Sequence, residues 1–181
     1  KHKDLFEVVG YALPERERER MPKRMSVFEG YQEMTVEEIL AEVRKDEAFY
    51  RHSGGGMTVS GGDPLFHPAF TLALLRGAKE VGLHTCVETS GHARWEDLEA
   101  LLPYVDIFLW DVKETDSARH KQFTGVGNER TLENLHRLDA AGAKTVLRCP
   151  LIPGCNDRPE HFAAIAAYKA AMVAQLEERS D

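Results

Sequence analysis

The strongest constraint on this chain is one plan written four times: a short apolar run, a polar turn, then an amphipathic helix. Gly54-Gly55-Gly56 leads into a strand at Met57-Thr58-Val59, and the turn Ser60-Gly61-Gly62-Asp63-Pro64 follows. Apolar spacing predicts a helix from Ala69 to Val81, with Gly82 as its stop signal. A second strand, Leu83 to Val87, ends in Glu88-Thr89-Ser90-Gly91 and gives way to a helix over Trp95 to Leu102. The third, Val105 to Trp110, is apolar apart from Asp106 and ends at Asp111-Val112-Lys113; helical segments follow at Ser117–Phe123 and Thr131–Ala141. A fourth strand, Lys144 to Leu147, ends in Arg148-Cys149-Pro150, and an alanine-rich helix covers Glu160 to Glu178. Short apolar strands alternating with helices are the signature of βαβ units and a parallel sheet. Right-handed crossovers leave two architectures, a doubly wound sheet or a barrel. Four such units are half of an eight-unit barrel, which takes about 250 residues.

Ahead of the repeat, Thr35 and Glu38 form a T-x-x-E capping box, and Val36, Ile39, Leu40 and Val43 keep helical spacing toward Phe49. Residues 1–33 differ: Pro14-Glu15-Arg16-Glu17-Arg18-Glu19-Arg20 alternates charge with almost nothing to bury, as a linker or solvated helix does. The expected division is therefore 1–33 as linker or the end of an insert, and 34–181 as the core. With 23 basic and 30 acidic residues the net charge is −7, which speaks against a broad nucleic-acid surface. No apolar run approaches the roughly 20 residues of a membrane span and no signal-peptide pattern opens the chain, so a cytosolic location is expected. Cys86, Cys149 and Cys155 have neither CxxC spacing nor even number, which argues against a disulfide framework or a four-cysteine zinc site.

In parallel α/β folds, ligands sit beyond the C-terminal ends of the strands. All four strands carry polar groups there. Such residues also cap helices and shape turns, and that reading suffices for Ser90. Asp111 is different, because it closes an apolar strand, and a buried carboxylate needs a counter-charge or a cation. Lys113, two residues on and on the same face of an extended chain, can supply that charge. Together, Asp111 and Lys113 suit a zwitterionic ligand, the first toward an amine and the second toward a carboxylate. Gly61-Gly62 permits close approach of a ligand to the backbone, although a tight turn needs the same two residues.

In order, these segments resemble the glycyl-radical-enzyme activating enzymes of the radical S-adenosylmethionine (SAM) superfamily, typified by pyruvate formate-lyase activating enzyme. The resemblance rests on Met34-Thr35-Val36-Glu37-Glu38, Ser53-Gly54-Gly55-Gly56, Ser60-Gly61-Gly62-Asp63-Pro64 and Glu88-Thr89-Ser90-Gly91. It continues through Phe108-Leu109-Trp110-Asp111-Val112-Lys113, His120-Lys121-Gln122-Phe123-Thr124-Gly125 and Pro150-Leu151-Ile152-Pro153-Gly154-Cys155-Asn156-Asp157. It implies a partial (β/α) barrel, here a fragment with about four βα units. It also implies SAM held by Gly61, Gly62, Asp63, Asp111, Val112 and Lys113, with Lys113 toward the carboxylate. Most members carry Glu where Asp63 stands; the shorter side chain leaves the amine contact to backbone or water. Glu88, Thr89 and Asp111 match a monovalent-cation site, and Arg148 matches a position near the bound substrate loop.

The activity implied is cleavage of SAM to a 5′-deoxyadenosyl radical, which takes a hydrogen from a glycine Cα of a partner glycyl radical enzyme. The implied electron donor is a flavodoxin or ferredoxin. One departure matters: the family's CxxxCxxC loop, which holds a [4Fe–4S] cluster, is absent, and the three cysteines are read as simple thiols, Cys86 closing a strand. The cluster loop and first strand are expected upstream of residue 1 and the last strands beyond the helix near Leu176, so the chain alone is expected to be inactive. Two rival readings stay open. One is a cluster-free homologue that binds SAM or a partner without radical chemistry; the other is an unrelated α/β enzyme using Asp111 and Lys113 for acid–base work.

Overall fold

A computed structural model describes residues 34–178. The charge-alternating stretch at 14–20 and the proposed linker lie outside the described residues. Thr35 caps the first helix, α1 (Val36–Val43), with both halves of the capping box made: the Glu38 N–H donates to Thr35 Oγ1 at 3.2 Å and the Thr35 N–H to Glu38 Oε2 at 2.8 Å. A 3-10 turn at Arg44–Asp46 separates it from α2 (Glu47–Ser53), so the helical spacing toward Phe49 belongs to two helices. The remaining elements are β1 (Gly56–Val59), α3 (Pro68–Glu80), β2 (His84–Thr89), α4 (Trp95–Glu99) and β3 (Ile107–Asp111). They continue with α5 (Ser117–Thr124), α6 (Glu129–Ala140), β4 (Thr145–Arg148) and α7 (Pro159–Glu178).

The four strands form one parallel sheet in the order β1-β2-β3-β4. That order decides between the two architectures left by the sequence. A doubly wound sheet reverses direction at a switch point, whereas a barrel adds each strand beside the last. Here every strand pairs with its predecessor, as in a segment of a (β/α) barrel.

Register assigns the two faces. Gly56 pairs with His84, Cys86 with Ile107, and Asp111 with Arg148. Alternation then puts Met57, Thr85, Val87, Thr89, Phe108 and Trp110 on one face. All six are buried, and Leu75 of α3, Leu98 of α4 and Leu135 and Leu138 of α6 complete their core. A second cluster joins Met57 to Phe70, Leu74, Ala78 and Leu83, covered by Val36, Ile39, Leu40 and Val43 of α1. The opposite face carries His84, Cys86, Glu88, Ile107, Leu109 and Asp111, none fully buried, and the exposed Thr58, Val146 and Arg148.

Three boundaries move from the sequence expectation, with one cause. Strands β2, β3 and β4 run on to Thr89, Asp111 and Arg148, so the polar residues belong to the ladder and their direction is fixed by it. Cys86 consequently lies inside β2 rather than closing it. The helix expected over Trp95 to Leu102 breaks after Glu99 into a 3-10 turn at Leu102–Tyr104, because Pro103 has no N–H to continue it. Gly91 follows β2 at φ +69°, where a Cβ would fall 1.9 Å from the Trp110 indole; the backbone there lies directly on the ring.

Candidate active site at the strand ends

Extension of the strands brings three charged side chains to the C-terminal rim of the open face. Arg148 Nη1 lies 2.6 Å from Glu88 Oε1, and its Nε lies 3.8 Å from Asp111 Oδ1. Lys113 Nζ approaches Asp111 Oδ2 at 3.4 Å. The counter-charge that a carboxylate at this position needs is thus present twice. Arg148 and Lys113 remain exposed, and the Asp111 side chain retains 17% of its accessible surface. Its Oδ1 nevertheless has no hydrogen-bond partner and no access to solvent. An acceptor in that state costs about 1–3 kcal/mol, which a ligand donor or a cation would recover.

The glycine turn after β1 sits on the same rim. Gly61 adopts φ +125°, Gly61 and Gly62 are exposed, and nothing lies within 4 Å of a Cβ built on either. Asp63 points away. Its carboxylate accepts from Thr89 Oγ1 (2.8 and 3.0 Å), the Ser90 N–H (3.0 Å), Ser90 Oγ (2.9 Å) and the Leu65 N–H (3.0 Å). It straps the β1 turn to the end of β2, and the glycine backbone is the part of this turn open to a ligand.

The structure therefore places on opposite faces side chains that the resemblance groups. Glu88 and Asp111 share the open face with Arg148 between them, whereas Thr89 projects to the covered face and donates to Asp63. A cation between Glu88 and Asp111 would have to displace Arg148, and Thr89 could reach it only through its backbone carbonyl. Val112 is 2% exposed and belongs to the main core; its N–H donates to the Arg148 carbonyl at 2.8 Å. It supports the site through its backbone.

A second polar group lies directly behind. Glu114, 1% exposed, accepts from Arg158 Nη2 at 2.7 and 2.8 Å, from the N–H groups of Thr115 (2.8 Å) and Asp116 (3.0 Å), and from Arg119 Nε at 3.4 Å. Burial pushes its carboxyl up, but the Asp116 N–H, Arg158 and the Thr115 N–H outweigh that and hold it down to about 2. His161, fully buried, accepts from the Thr115 N–H at Nδ1 (3.2 Å), which leaves the ring proton on Nε2, 3.1 Å from Cys149 Sγ. Burial pushes the His161 pKa down, and burial together with the charges of Glu114 and Asp111 pushes the Cys149 thiol up. The imidazole is neutral and donates to a neutral thiol, so the pair is not an activated nucleophile.

Cys86 lies inside β2 and the other two thiols follow β4. Among the described residues no group of three or more His, Cys, Asp or Glu is placed to hold a metal ion. The family's cluster therefore has no ligand set there. SAM fits better. Its methionine end carries an ammonium and a carboxylate, and the rim offers the Asp111 carboxylate, whose Oδ1 accepts no hydrogen bond, the Lys113 ammonium and open glycine backbone.

A parallel sheet in barrel order, with charged groups and a glycine turn at its C-terminal rim, defines a class, and the comparisons name it. The Radical SAM superfamily model matches residues 18–166, and the chain belongs to that superfamily. Among individual relatives, it is 53% identical over 135 residues to the isethionate sulfite-lyase activating enzyme of Nitratidesulfovibrio vulgaris, covering 74% of this chain and 44% of the relative. It is 43% identical over 138 residues to the benzylsuccinate synthase activating enzyme of Thauera aromatica, covering 76% of this chain and 42% of that one. The chain thus spans less than half the length of these curated relatives. A crystal structure of a domain of pyruvate-formate lyase-activating enzyme from Bacteroides vulgatus superposes with a TM-score of 0.60 at 35% identity, covering 64% of this chain and 71% of that one.

Proposed function

We propose that this chain is the SAM-binding core of an enzyme that installs a glycyl radical on a partner enzyme. The observation that supports it most is Asp111. It lies on the rim beside Lys113, its buried Oδ1 accepts no hydrogen bond, and open glycine backbone shares the rim. Asp111 would take the methionine ammonium, Lys113 its carboxylate, and Gly61 and Gly62 would line the approach through their backbone. Bound SAM supplies the radical chemistry of the superfamily. The chain's own residues orient that molecule and keep its charged end out of bulk water. Arg148, exposed and held only by carboxylates, would address the partner's substrate loop. On this reading the whole protein works in the cytoplasm with a flavodoxin or ferredoxin as electron donor, and a monovalent cation competes with Arg148 for Glu88 and Asp111.

Titration calorimetry of the full-length protein with SAM tests the reading. Lys113→Ala is expected to weaken binding about tenfold, the loss of one charge-assisted contact; equal affinity refutes the assignment. A second reading, a homologue that binds SAM without radical chemistry, is favoured by the scattered cysteines. Iron–sulfur charge-transfer absorption after anaerobic reconstitution would remove it.

A further inference from the structure

Lys113 lies between two buried side chains, Val112 and Glu114, on a segment that prolongs β3 past its last ladder residue. The Val112 N–H is tied to Arg148, and the Glu114 carboxylate to Arg158 and Arg119. The carbonyl of Lys113 has its own partner. Asn156 Nδ2 donates to it at 2.8 Å and to the Pro150 carbonyl at 2.8 Å, while Asn156 Oδ1 accepts the Ile152 N–H at 2.8 Å. Asn156 is 3% exposed, and the site as read above makes no use of it. One amide thus joins the segment after β3 to the loop after β4, which follows Arg148.

We infer that Asn156 is a positioning residue: through the Lys113 carbonyl it fixes the direction in which the Lys113 ammonium is presented beside Asp111. The inference rests on the reading of Lys113 as a ligand contact. A lysine stem has four rotatable bonds, and ordering it on binding is costly unless its backbone origin is already fixed. Removing the Asn156 amide frees Lys113 and residues 150–152 to move independently.

The fold supplies a matched control. Asn128, also 3% exposed, donates from Nδ2 to the carbonyls of Glu114 (3.0 Å) and Thr115 (2.9 Å). Truncating it removes the same kind of bonds from the same segment without releasing Lys113.

The test is SAM titration of the full-length protein as wild type, N156A, K113A, N156A/K113A and N128A, with urea unfolding of each. Expected is an about tenfold weaker affinity for N156A, shrinking to less than about twofold in the K113A background. N128A should lose stability comparably yet keep its affinity within about twofold. N156D is the isosteric second variant: its carboxylate faces two carbonyls, and a folded N156D should also bind weakly. Equal losses for N156A with and without Lys113, equal losses for N128A and N156A, or wild-type affinity in folded N156D would each overturn the inference. If K113A itself binds as wild type does, the ligand reading of Lys113 has failed, and that result is distinct from a failure of Asn156 alone.

Discussion

Asp111 and Glu114 are two carboxylates three residues apart at the end of one strand, and they are built oppositely. Glu114 is sealed from water, yet its oxygens receive two backbone N–H groups and two guanidinium groups. Asp111 keeps some exposure, faces two cations at ion-pair rather than hydrogen-bond distance for Oδ1, and leaves that oxygen without a donor. Saturation marks a carboxylate whose work is done within the fold. Incomplete satisfaction, beside two exposed cations and on the open face of the sheet, marks one reserved for something else.

The contrast breaks most visibly under substitution. Glu114→Ala removes the buried carboxylate that Arg158, Arg119 and two backbone N–H groups share and should cost about 3–5 kcal/mol in urea unfolding. Asp111→Asn should cost less than about 1 kcal/mol. Equal costs would abolish the distinction drawn between them.

Acid should next separate Glu114 from His161, its neighbour on the saturated side. His161 is held below its ordinary value, so the unfolded chain takes up that proton first and stability falls as pH drops below the usual 6.5. Glu114 is also held low, so its contribution is present above 4.5 and is lost as pH falls toward about 2. Stability against pH should therefore decline in two steps, each no steeper than about 1.4 kcal/mol per pH unit for one proton. His161→Gln should erase the upper step and spare the lower one, as followed by urea midpoints across pH.

A smaller effect sharpens the Asp111 side. Asp111→Asn should weaken SAM binding about tenfold in calorimetry while leaving the lower acid step unchanged. Smallest is the ion response. Arg148→Ala removes the guanidinium between Glu88 and Asp111, and potassium should then raise the melting temperature by a few degrees more than tetramethylammonium does, equivalent to less than about 1 kcal/mol. An equal response to both ions would argue against cation binding there.

The order of elements was readable from the alternation of apolar runs and turns, and the rim position of Asp111, Lys113, Arg148 and Glu88 followed from the rule about strand ends. What escaped was direction. Neighbours in a strand face opposite ways, so Glu88 and Thr89, which the family resemblance places at one cation site, point to opposite faces of β2, and the Thr89 hydroxyl donates to Asp63. Counting by twos from the buried Val87 would have assigned both. Glu114 escaped for another reason: its partner Arg158 lies more than 40 residues along the chain, and no local pattern announces a pairing that only the packing of α7 creates. The one available hint was that Val112, Lys113 and Glu114 continue the alternation of β3.

The β1-β2-β3-β4 order also bears on how this sheet comes into being. Each described strand after the first pairs with the one made immediately before it, across one α-helix from β1 to β2 and from β2 to β3, and across two, α5 and α6, from β3 to β4. Parallel sheets usually fold slowly, because long loops must close before their pairings repay the entropy. Nearest-neighbour growth limits each crossover to one or two helices. On a ribosome these four strands can pair one unit at a time as chain emerges, and Asp111 meets Arg148 only with the fourth, so the ion pairs of the rim wait for β4.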